Sequence, residues 1–371
     1  MLDTVILNFK KGLYSILRWD RFHLASEKRG RNGLLIYRKF VNNATDEEIK
    51  AHIYRPQLTL YERSRETIFK VQFSAQKIIF RNSLEEIDED YFEKVLDALK
   101  KSLSEMDVSI EKEILKYGKT MAIHPAKNIP ITGGFTARGI IRDFSKVNLT
   151  EKMELNEKVF RNTGHGIQFR AETHALTFYD KNKDLEKSEK KAYDTDQTIQ
   201  QQVLFAYMQQ KRKPEVLRME VRLNDKQKMN SVLQKLGFPK NPTFADIFKR
   251  EVCQKILLDY FSTYIDPNLF IFENVIDDPQ EILAGILRKN KRMTVARAMN
   301  LVALKLCCKA EGGVRGLRGI IEARSSQRKW QRTSKDIKTL NRRIPLKSCH
   351  SYIKEIKQAI QKFKPYKPET S

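Results

Sequence analysis

The chain is 371 residues long, 40% hydrophobic, and carries a formal net charge of +24 at pH 7. Its length suits two domains, or one large domain with an appendage, and its hydrophobic fraction is enough for a packed core. No apolar run reaches the roughly 18 residues of a membrane span, and no basic-then-apolar leader is present, so no membrane association is expected. The four cysteines lack zinc-ligand spacing and include an adjacent pair, which predicts reduced thiols in a cytoplasmic protein.

The positive charge is unevenly distributed along the sequence. Residues 301–371 carry 18 lysines and arginines against 5 aspartates and glutamates, so +13 of the +24 lies there. An excess of this size favours a polyanionic partner, because each neutralised phosphate releases a condensed counterion. A merely solvated surface is the alternative, but the clustering of the charge favours nucleic acid.

The first 163 residues show short strand patterns and one strong helix pattern. Strands are predicted at residues 1–9, 33–37, 57–61, 67–79 and 119–124, the last ended by Pro125, and a loop is predicted at 18–32. A helix begins at Asp88, because apolar residues recur at intervals of three and four through Met106. A short helix and a loop are expected at 141–161.

Residues 164–223 contain the clearest alternation. Strands are predicted at 166–170 and 174–180, joined by a turn, and again at 216–223. On the last strand Arg218, Glu220 and Arg222 share one face, and apolar residues occupy the other. On the middle strand Tyr179 lies on the face opposite to His174. Residues 181–191 are predicted to be a charged loop, and residues 194–211 a helix.

From residue 224 onward the pattern is helical. Helices are predicted at 226–236, 244–264, 279–287, 294–308, 314–323 and 327–340. The expected fold class is therefore α+β, with a largely antiparallel sheet domain at 1–225 and an all-helical basic region at 226–345. Residues 346–371 are predicted to be a basic, partly disordered tail.

A candidate helix-turn-helix lies at residues 314–340, where two short helices flank a tight turn. Its second helix carries donors that can meet phosphates or base edges: Arg328, Lys329, Trp330, Arg332 and Lys335. An ordinary basic helical hairpin is the alternative.

The candidate chemistry centres on Tyr179, which occupies an otherwise small and polar strand face. A tyrosine hydroxyl attacks phosphorus only when its phenolate and the pentacovalent charge are stabilised, as a divalent cation can do. Glu220 is either a metal ligand or part of a structural ion pair with Arg218 or Arg222. His124 is either a ligand or an ordinary satisfied histidine. The sequence has no His-x-His pair, so the usual two-histidine metal motif of nicking endonucleases is absent. It also has no phosphate-binding glycine loop, so ATP use is not supported.

These motifs occur in the order found in one family of DNA enzymes. The strand Leu176-Thr-Phe-Tyr-Asp-Lys181 precedes the strand Leu217-Arg-Met-Glu-Val-Arg-Leu223, and a Leu236-Gly-Phe-Pro239 turn follows. Together with the strands at 1–7 and 71–77, this order resembles the rolling-circle replication initiators of filamentous phages, the gene II protein type. Plasmid initiators with a Tyr-x-Lys strand are more loosely similar. The resemblance covers most of residues 1–260, with a weaker likeness at 294–345.

The resemblance implies a nuclease-like fold of the HUH/Rep kind with Tyr179 as nucleophile. It places Glu220 and His124 at metal positions for Mg²⁺ or Mn²⁺, and it puts Gln72, a poorer ligand, at a third. Lys181, Arg218 and Arg222 would hold the scissile phosphate or its neighbours.

The implied activity is metal-dependent nicking and joining of one DNA strand at an origin, in single-stranded or supercoiled duplex DNA. The 5′ phosphate would stay on the tyrosine, and the 3′ hydroxyl would prime a host polymerase working with a host helicase. The alternative is a non-enzymatic, sequence-specific DNA-binding regulator, which the missing two-histidine motif favours.

Overall fold

A large antiparallel sheet organises the molecule. The computed structural model describes residues 1–30, 32–64, 66–147, 153–155, 164–185, 215–273, 277–346 and 349–368. Ten strands form one sheet in the order β3-β4-β5-β6-β1-β8-β12-β11-β10-β9, and β2 pairs separately with β7. Neighbouring strands of the large sheet are antiparallel. The fold is thus α+β, as predicted.

The strands of the described residues are β1 (Leu2–Lys10), β2 (Ser15–Ile16), β3 (His23–Arg29), β4 (Leu35–Asn42), β5 (Gln57–Arg63), β6 (Thr67–Ser74), β7 (Val108–Ser109), β8 (Lys119–Ile131), β9 (Glu154–Leu155), β10 (Gly166–Arg170), β11 (His174–Asp180) and β12 (Glu215–Leu223). The α-helices before β12 are α1 (Asp46–Lys50), α2 (Ala75–Phe80), α3 (Phe92–Ser104), α4 (Lys112–Lys116), α5 (Ala137–Ser145) and α6 (Lys181–Leu185). Those after it are α7 (Lys226–Lys235), α8 (Phe244–Ile247), α9 (Arg250–Tyr264), α10 (Pro279–Lys289), α11 (Val295–Lys309), α12 (Gly313–Arg324), α13 (Gln327–Arg343) and α14 (Ser351–Lys362). Within the described residues, 3-10 segments lie at Glu89–Tyr91 and Asp266–Phe272.

Helices cover one face of the sheet. The ring of Phe178 in β11 packs at a tilt against Phe144 of α5, and His174 on the same strand face meets the ring of Tyr260 in α9 edge-on. The apolar stripe of α3 buries Val95, Leu96, Leu99 and Leu103, as its three-and-four spacing requires. The buried hydrophobic cluster runs without a break from Met1 to Phe363. It therefore crosses the predicted domain boundaries after residues 225 and 345.

The opposite face of the sheet is polar and partly exposed. It carries alternate residues of β1, including Thr4, Ile6 and Asn8, whereas Val5 and Leu7 between them are completely buried in the core. This contrast follows from the period-2 geometry of strands. Tyr179 and Glu220 lie on this polar face.

Three predictions for the first half of the chain were wrong. The loop expected at 18–32 contains β3, a polar edge strand that has no buried face and so shows no apolar alternation. The strand expected at 67–79 ends at Ser74, whose side chain caps α2. The strand expected to stop at Pro125 continues to Ile131, because Pro125 sits at a register irregularity opposite Leu2, where its missing N–H is tolerated.

The helix predicted at 244–264 is interrupted. Thr243 caps the short α8, as its sequence suggests, but the chain leaves helical geometry at Phe248 before α9 begins. The helix predicted at 194–211 and most of the charged loop at 181–191 fall outside the described residues. The first five residues of that loop form α6.

The C-terminal segment is folded, so the prediction of a partly disordered tail was wrong for residues 351–368. Helix α14 buries Tyr352, Ile353, Ile356 and Ile360. The backbone of Tyr366 exchanges hydrogen bonds with Glu86. The apolar residues of α14 have helical spacing, which the high lysine content of the segment concealed. Across the described parts of the chain, no helix is both long and apolar enough to cross a membrane.

Candidate functional site

The residues predicted to share a polar strand face on β11 and β12 lie side by side in one row of the sheet. In the pairing of β11 with β12, Tyr179 lies opposite Arg218, Thr177 opposite Glu220, and Ala175 opposite Arg222. Residues directly opposite each other in an antiparallel pair share a face. The two strands predicted to carry the chemistry are therefore neighbours, and their polar residues face the same way.

Tyr179 and Glu220 are in contact at the centre of the row. The Tyr179 hydroxyl donates a hydrogen bond to Glu220 Oε2 at 3.4 Å. Burial raises the pKa of Tyr179 well above its ordinary value; Arg218 opposes this change, whereas the Glu220 charge adds to it. At neutral pH the phenol is therefore protonated.

Glu220 is a buried carboxylate that lies against Arg222 and His124. Arg222 Nε lies 2.7 Å from Glu220 Oε1, and His124 Nδ1 lies 3.5 Å from the same oxygen. Burial alone would raise the pKa of Glu220, but the charges of Arg222 and Arg218, together with that of His124 when its ring is protonated, lower it to about 2. Of the two pairings left open by the sequence, the structure shows the one with Arg222.

His124 presents a lone pair to Glu220. Its Nε2 lies 2.7 Å from Asn224 Oδ1, an atom that can only accept, so Nε2 carries the ring proton. Burial lowers the pKa of His124, which keeps the ring neutral at pH 7. Nδ1 and Glu220 Oε1 are therefore two acceptors that face each other. Such a pair of acceptors can bind a cation between them.

The donor set at this position fits a weakly held divalent cation. Mg²⁺ usually keeps several waters and takes only one or two protein carboxylates, so His124 and Glu220 are a sufficient minimum. Within the described residues, however, no group of three or more His, Cys, Asp or Glu side chains is arranged to hold a metal. Gln72 lies on β6, with β1 and β8 between it and Glu220, where it lines a small polar pocket with Asp3 and Ser74.

Arg218 is a buried scaffold residue, which corrects its predicted role as a phosphate ligand. Its side chain is completely buried, and its guanidinium donates to Asn128 Oδ1, the Ser83 carbonyl and Gln76 Oε1. Its Nη2 also lies 3.0 Å from Asp3 Oδ1. The guanidinium still acts on Tyr179, because its positive charge favours the phenolate.

Lys181 is likewise turned inward. Its ammonium donates to Ser83 Oγ at 2.8 Å and to Asp184 at 3.2 Å, and its side chain is 2% exposed. It also lies 5.6 Å from the centroid of the Tyr179 ring. Like Arg218, it positions the tyrosine rather than offering a free cation. Of the three predicted phosphate ligands, Arg222 is the one with a substantially exposed side chain, at 37%.

Asp3 belongs to the site but was missed as a candidate residue. Its charge acts on Tyr179, His124, Arg218 and Arg222. A register irregularity between Leu2 and Thr4 interrupts the regular pairing of β1 with β8 beside it. The sequence predicts the first strand by its alternation, but no local signal marks Asp3 as a functional residue.

The basic hairpin near the C-terminus is separate from this row. Helices α12 and α13 are joined at Ser325 and Ser326, and Arg328, Lys329, Arg332 and Lys335 are exposed. Trp330 is 6% exposed and Arg318 stacks on its ring, so its predicted role as a donor to DNA was wrong. As the large apolar residue of its helix, it packs in the core.

Comparisons with known proteins add no assignment. No protein-family model, no curated protein and no solved structure matches the chain. Function is therefore inferred from the geometry of the Tyr179 row and from the sequence.

Proposed function

We propose that the protein is a replication initiator that nicks one DNA strand through Tyr179 and later rejoins it. The observation that carries the proposal is the hydrogen bond between the Tyr179 hydroxyl and Glu220 on the polar sheet face, with Arg222 exposed beside it. The net charge of +24 supports DNA as the partner.

In the proposed reaction the Tyr179 oxygen attacks the scissile phosphorus and loses its proton. The bond from phosphorus to the 3′ oxygen breaks, and that oxygen takes a proton to leave as a 3′ hydroxyl. The strand's 5′ phosphate is then esterified to the tyrosine. Because the phosphotyrosine conserves the energy of the phosphodiester, a 3′ hydroxyl can reverse the step without ATP. The free 3′ end would serve a host polymerase and helicase.

Each polar residue of the row has a separate role in this proposal. Arg222 neutralises a phosphate oxygen, and Arg218 beneath the tyrosine favours its phenolate form. His124 and Glu220 would hold Mg²⁺ or Mn²⁺, which when bound polarises a non-bridging phosphate oxygen. The exposed residues Arg328, Lys329 and Arg332 would bind the flanking duplex.

The test is covalent capture of labelled DNA. Supercoiled or single-stranded origin DNA is incubated with the protein and Mn²⁺, and adducts are resolved on a denaturing gel. We expect a protein-linked 5′ end with the wild type and none with Tyr179→Phe. Tyr117→Phe is the matched control, because this tyrosine lies at the end of α4, outside the sheet, and is 58% exposed. An undiminished adduct with Tyr179→Phe would make Tyr193 or Tyr207, which lie outside the described residues, the better candidate.

The second candidate is a non-enzymatic DNA-binding regulator. Two observations favour it: Glu220 already has Arg222 as a close partner, and α12 and α13 present exposed cations around a tight turn. Footprinting that shows a protected operator, with no nick in Mg²⁺ or Mn²⁺, would support this reading. Loss of the footprint in Arg328→Ala/Arg332→Ala would locate the binding on α13.

A further inference from the structure

The polar sheet face extends well beyond Tyr179, into strands that the proposed chemistry does not use. On β4 and β5, Lys39 lies directly opposite Tyr61, and its ammonium is 5.9 Å from the centroid of the tyrosine ring. Tyr37 is two residues away from Lys39, on the same face. Lys70 on β6 lies opposite Thr59, the next residue of β5 on that face. We call Tyr37, Lys39, Tyr61 and Lys70 the lysine–tyrosine strip.

The strip is continuous with the Tyr179 row. Lys70 pairs with Asn8 of β1, and Thr4, four residues before Asn8 on the same face, pairs with His124. Four strand-to-strand steps separate β6 from β11. The four steps cover about 19 Å at about 4.8 Å each. The nine residues of β8 from Lys119, beside Asn8, to Asn128, beside Arg218, add about 30 Å along the strands, so Lys70 lies about 35 Å from Tyr179 on this face.

The lysines of the strip repel each other. Burial lowers the pKa of Lys70, and the charged neighbour that lowers it further is another cation, Lys39. Both side chains are half-buried, so their charges are incompletely solvated. Two like charges held in this way are stabilised by an anion placed between them.

Aromatic side chains on the same face favour an anion that carries flat bases able to stack on them. Tyr37 and Tyr61 are half-buried, with part of each side chain reaching solvent. A base stacks on an aromatic ring when its π-face is free, as in a single strand, whereas a duplex keeps its base faces stacked internally. Proteins that bind single strands without sequence preference usually combine two features: cationic side chains along the phosphate backbone, and aromatic rings on which the bases stack.

We propose that the lysine–tyrosine strip binds single-stranded DNA that runs across the sheet to or from Tyr179. The inference takes its ligand from the proposed function, but it concerns binding and does not depend on cleavage. It assigns a role to the outer strands β4, β5 and β6.

The experiment measures the affinity of full-length protein for a fluorescent oligothymidylate of roughly 12 nucleotides, within the usual site size, in EDTA. The variant is Lys39→Ala/Lys70→Ala. The matched control is Lys94→Ala/Lys116→Ala, which removes two lysines that also lie beside tyrosine rings but belong to α3 and α4. Anisotropy titrations are repeated at several salt concentrations.

The strip variant should lose about 20-fold in affinity near 0.1 M salt, and its slope of log K against log salt should become about 1.4 shallower, or about 0.7 for each lost phosphate contact. The control should stay within about twofold. Tyr61→Ala should weaken binding at least about fivefold, and Tyr61→Phe should restore it, because stacking needs only the ring.

Two results would overturn the inference. One is an equal loss of affinity in both double variants, which would mean that only the overall charge matters. The other is the same dependence on Lys39 and Lys70 for duplex as for single-stranded DNA. The outcome is separable from that of the nicking assay: strip-dependent binding without any Tyr179 adduct removes the proposed chemistry alone, and an adduct without strip-dependent binding removes this inference alone.

Discussion

Arg218 Nη2 lies 3.0 Å from Asp3 Oδ1, so a buried guanidinium on β12 is held by a carboxylate on β1, two strands away. The guanidinium also donates to Asn128 of β8, the strand between them. This contact ties the first strand of the chain to the strand that carries Glu220. It fixes a positive charge beneath Tyr179.

We expect Arg218→Met to lower the free energy of unfolding by about 3–5 kcal/mol, because it leaves the Asp3 carboxylate without its buried partner. Arg29→Met is the control; Arg29 pairs with Glu27 at the surface with its side chain 51% exposed, and should cost less than about 1 kcal/mol. Urea denaturation followed by circular dichroism measures both. Equal stabilities of the two variants would contradict the scaffold role of Arg218.

The rate of nicking should rise with pH. The pKa of Glu220 is about 2, and burial lowers the pKa of His124 below its ordinary value, so both groups keep their charge state between pH 7.5 and 9. The pKa of Tyr179 lies well above 10, so its phenolate fraction grows about tenfold per pH unit in this range. Single-turnover rates should show that slope, and a fluorinated tyrosine at position 179, which is more acidic, should react faster at pH 7. A flat profile with both tyrosines would show that phenol ionisation does not limit the reaction.

His124→Ala should raise the Mn²⁺ concentration needed for half-maximal nicking by at least about tenfold, since it removes one of two protein ligands. His165→Ala is the matched control, because His165 is also a poorly exposed histidine paired with a carboxylate, Asp180, at 3.0 Å. Electron paramagnetic resonance of free Mn²⁺ provides a readout independent of activity. Identical Mn²⁺ binding by the two variants would rule out His124 as a ligand.

Helix α14 should behave as part of the core. Ile356 is completely buried, so Ile356→Ala should destabilise the protein by about 2–5 kcal/mol. Gln358→Ala, an exposed position in the same helix, should have little effect. Thermal unfolding compares the two. If Ile356→Ala melts like the wild type, the C-terminal segment does not contribute to the folded core.

Where a local pattern governs the structure, the sequence was a sufficient guide. The alternation in residues 166–180 and 216–223 gave β10, β11 and β12 almost to the residue, because half-buried strands must alternate. The same alternation placed Tyr179 opposite to His174. The helix cap at Thr243 was also readable, since a cap depends on a few neighbouring atoms. The polar edge strand β3 and the folded α14 were not readable, because their environment comes from distant segments.

The sequence by itself determined the fold class, the cationic character of the chain and the sharing of one strand face by Arg218, Glu220 and Arg222. Only the tertiary structure decided which of these cations are available to a ligand. Arg218 and Lys181 lie inside, held by Asp3, Asn128 and Ser83, while Arg222 reaches solvent. The reason is physical. Burial and hydrogen-bond partners depend on residues that the sheet brings together from more than 200 positions apart in the sequence, as with Asp3 and Arg218, and strand periodicity carries no information about them.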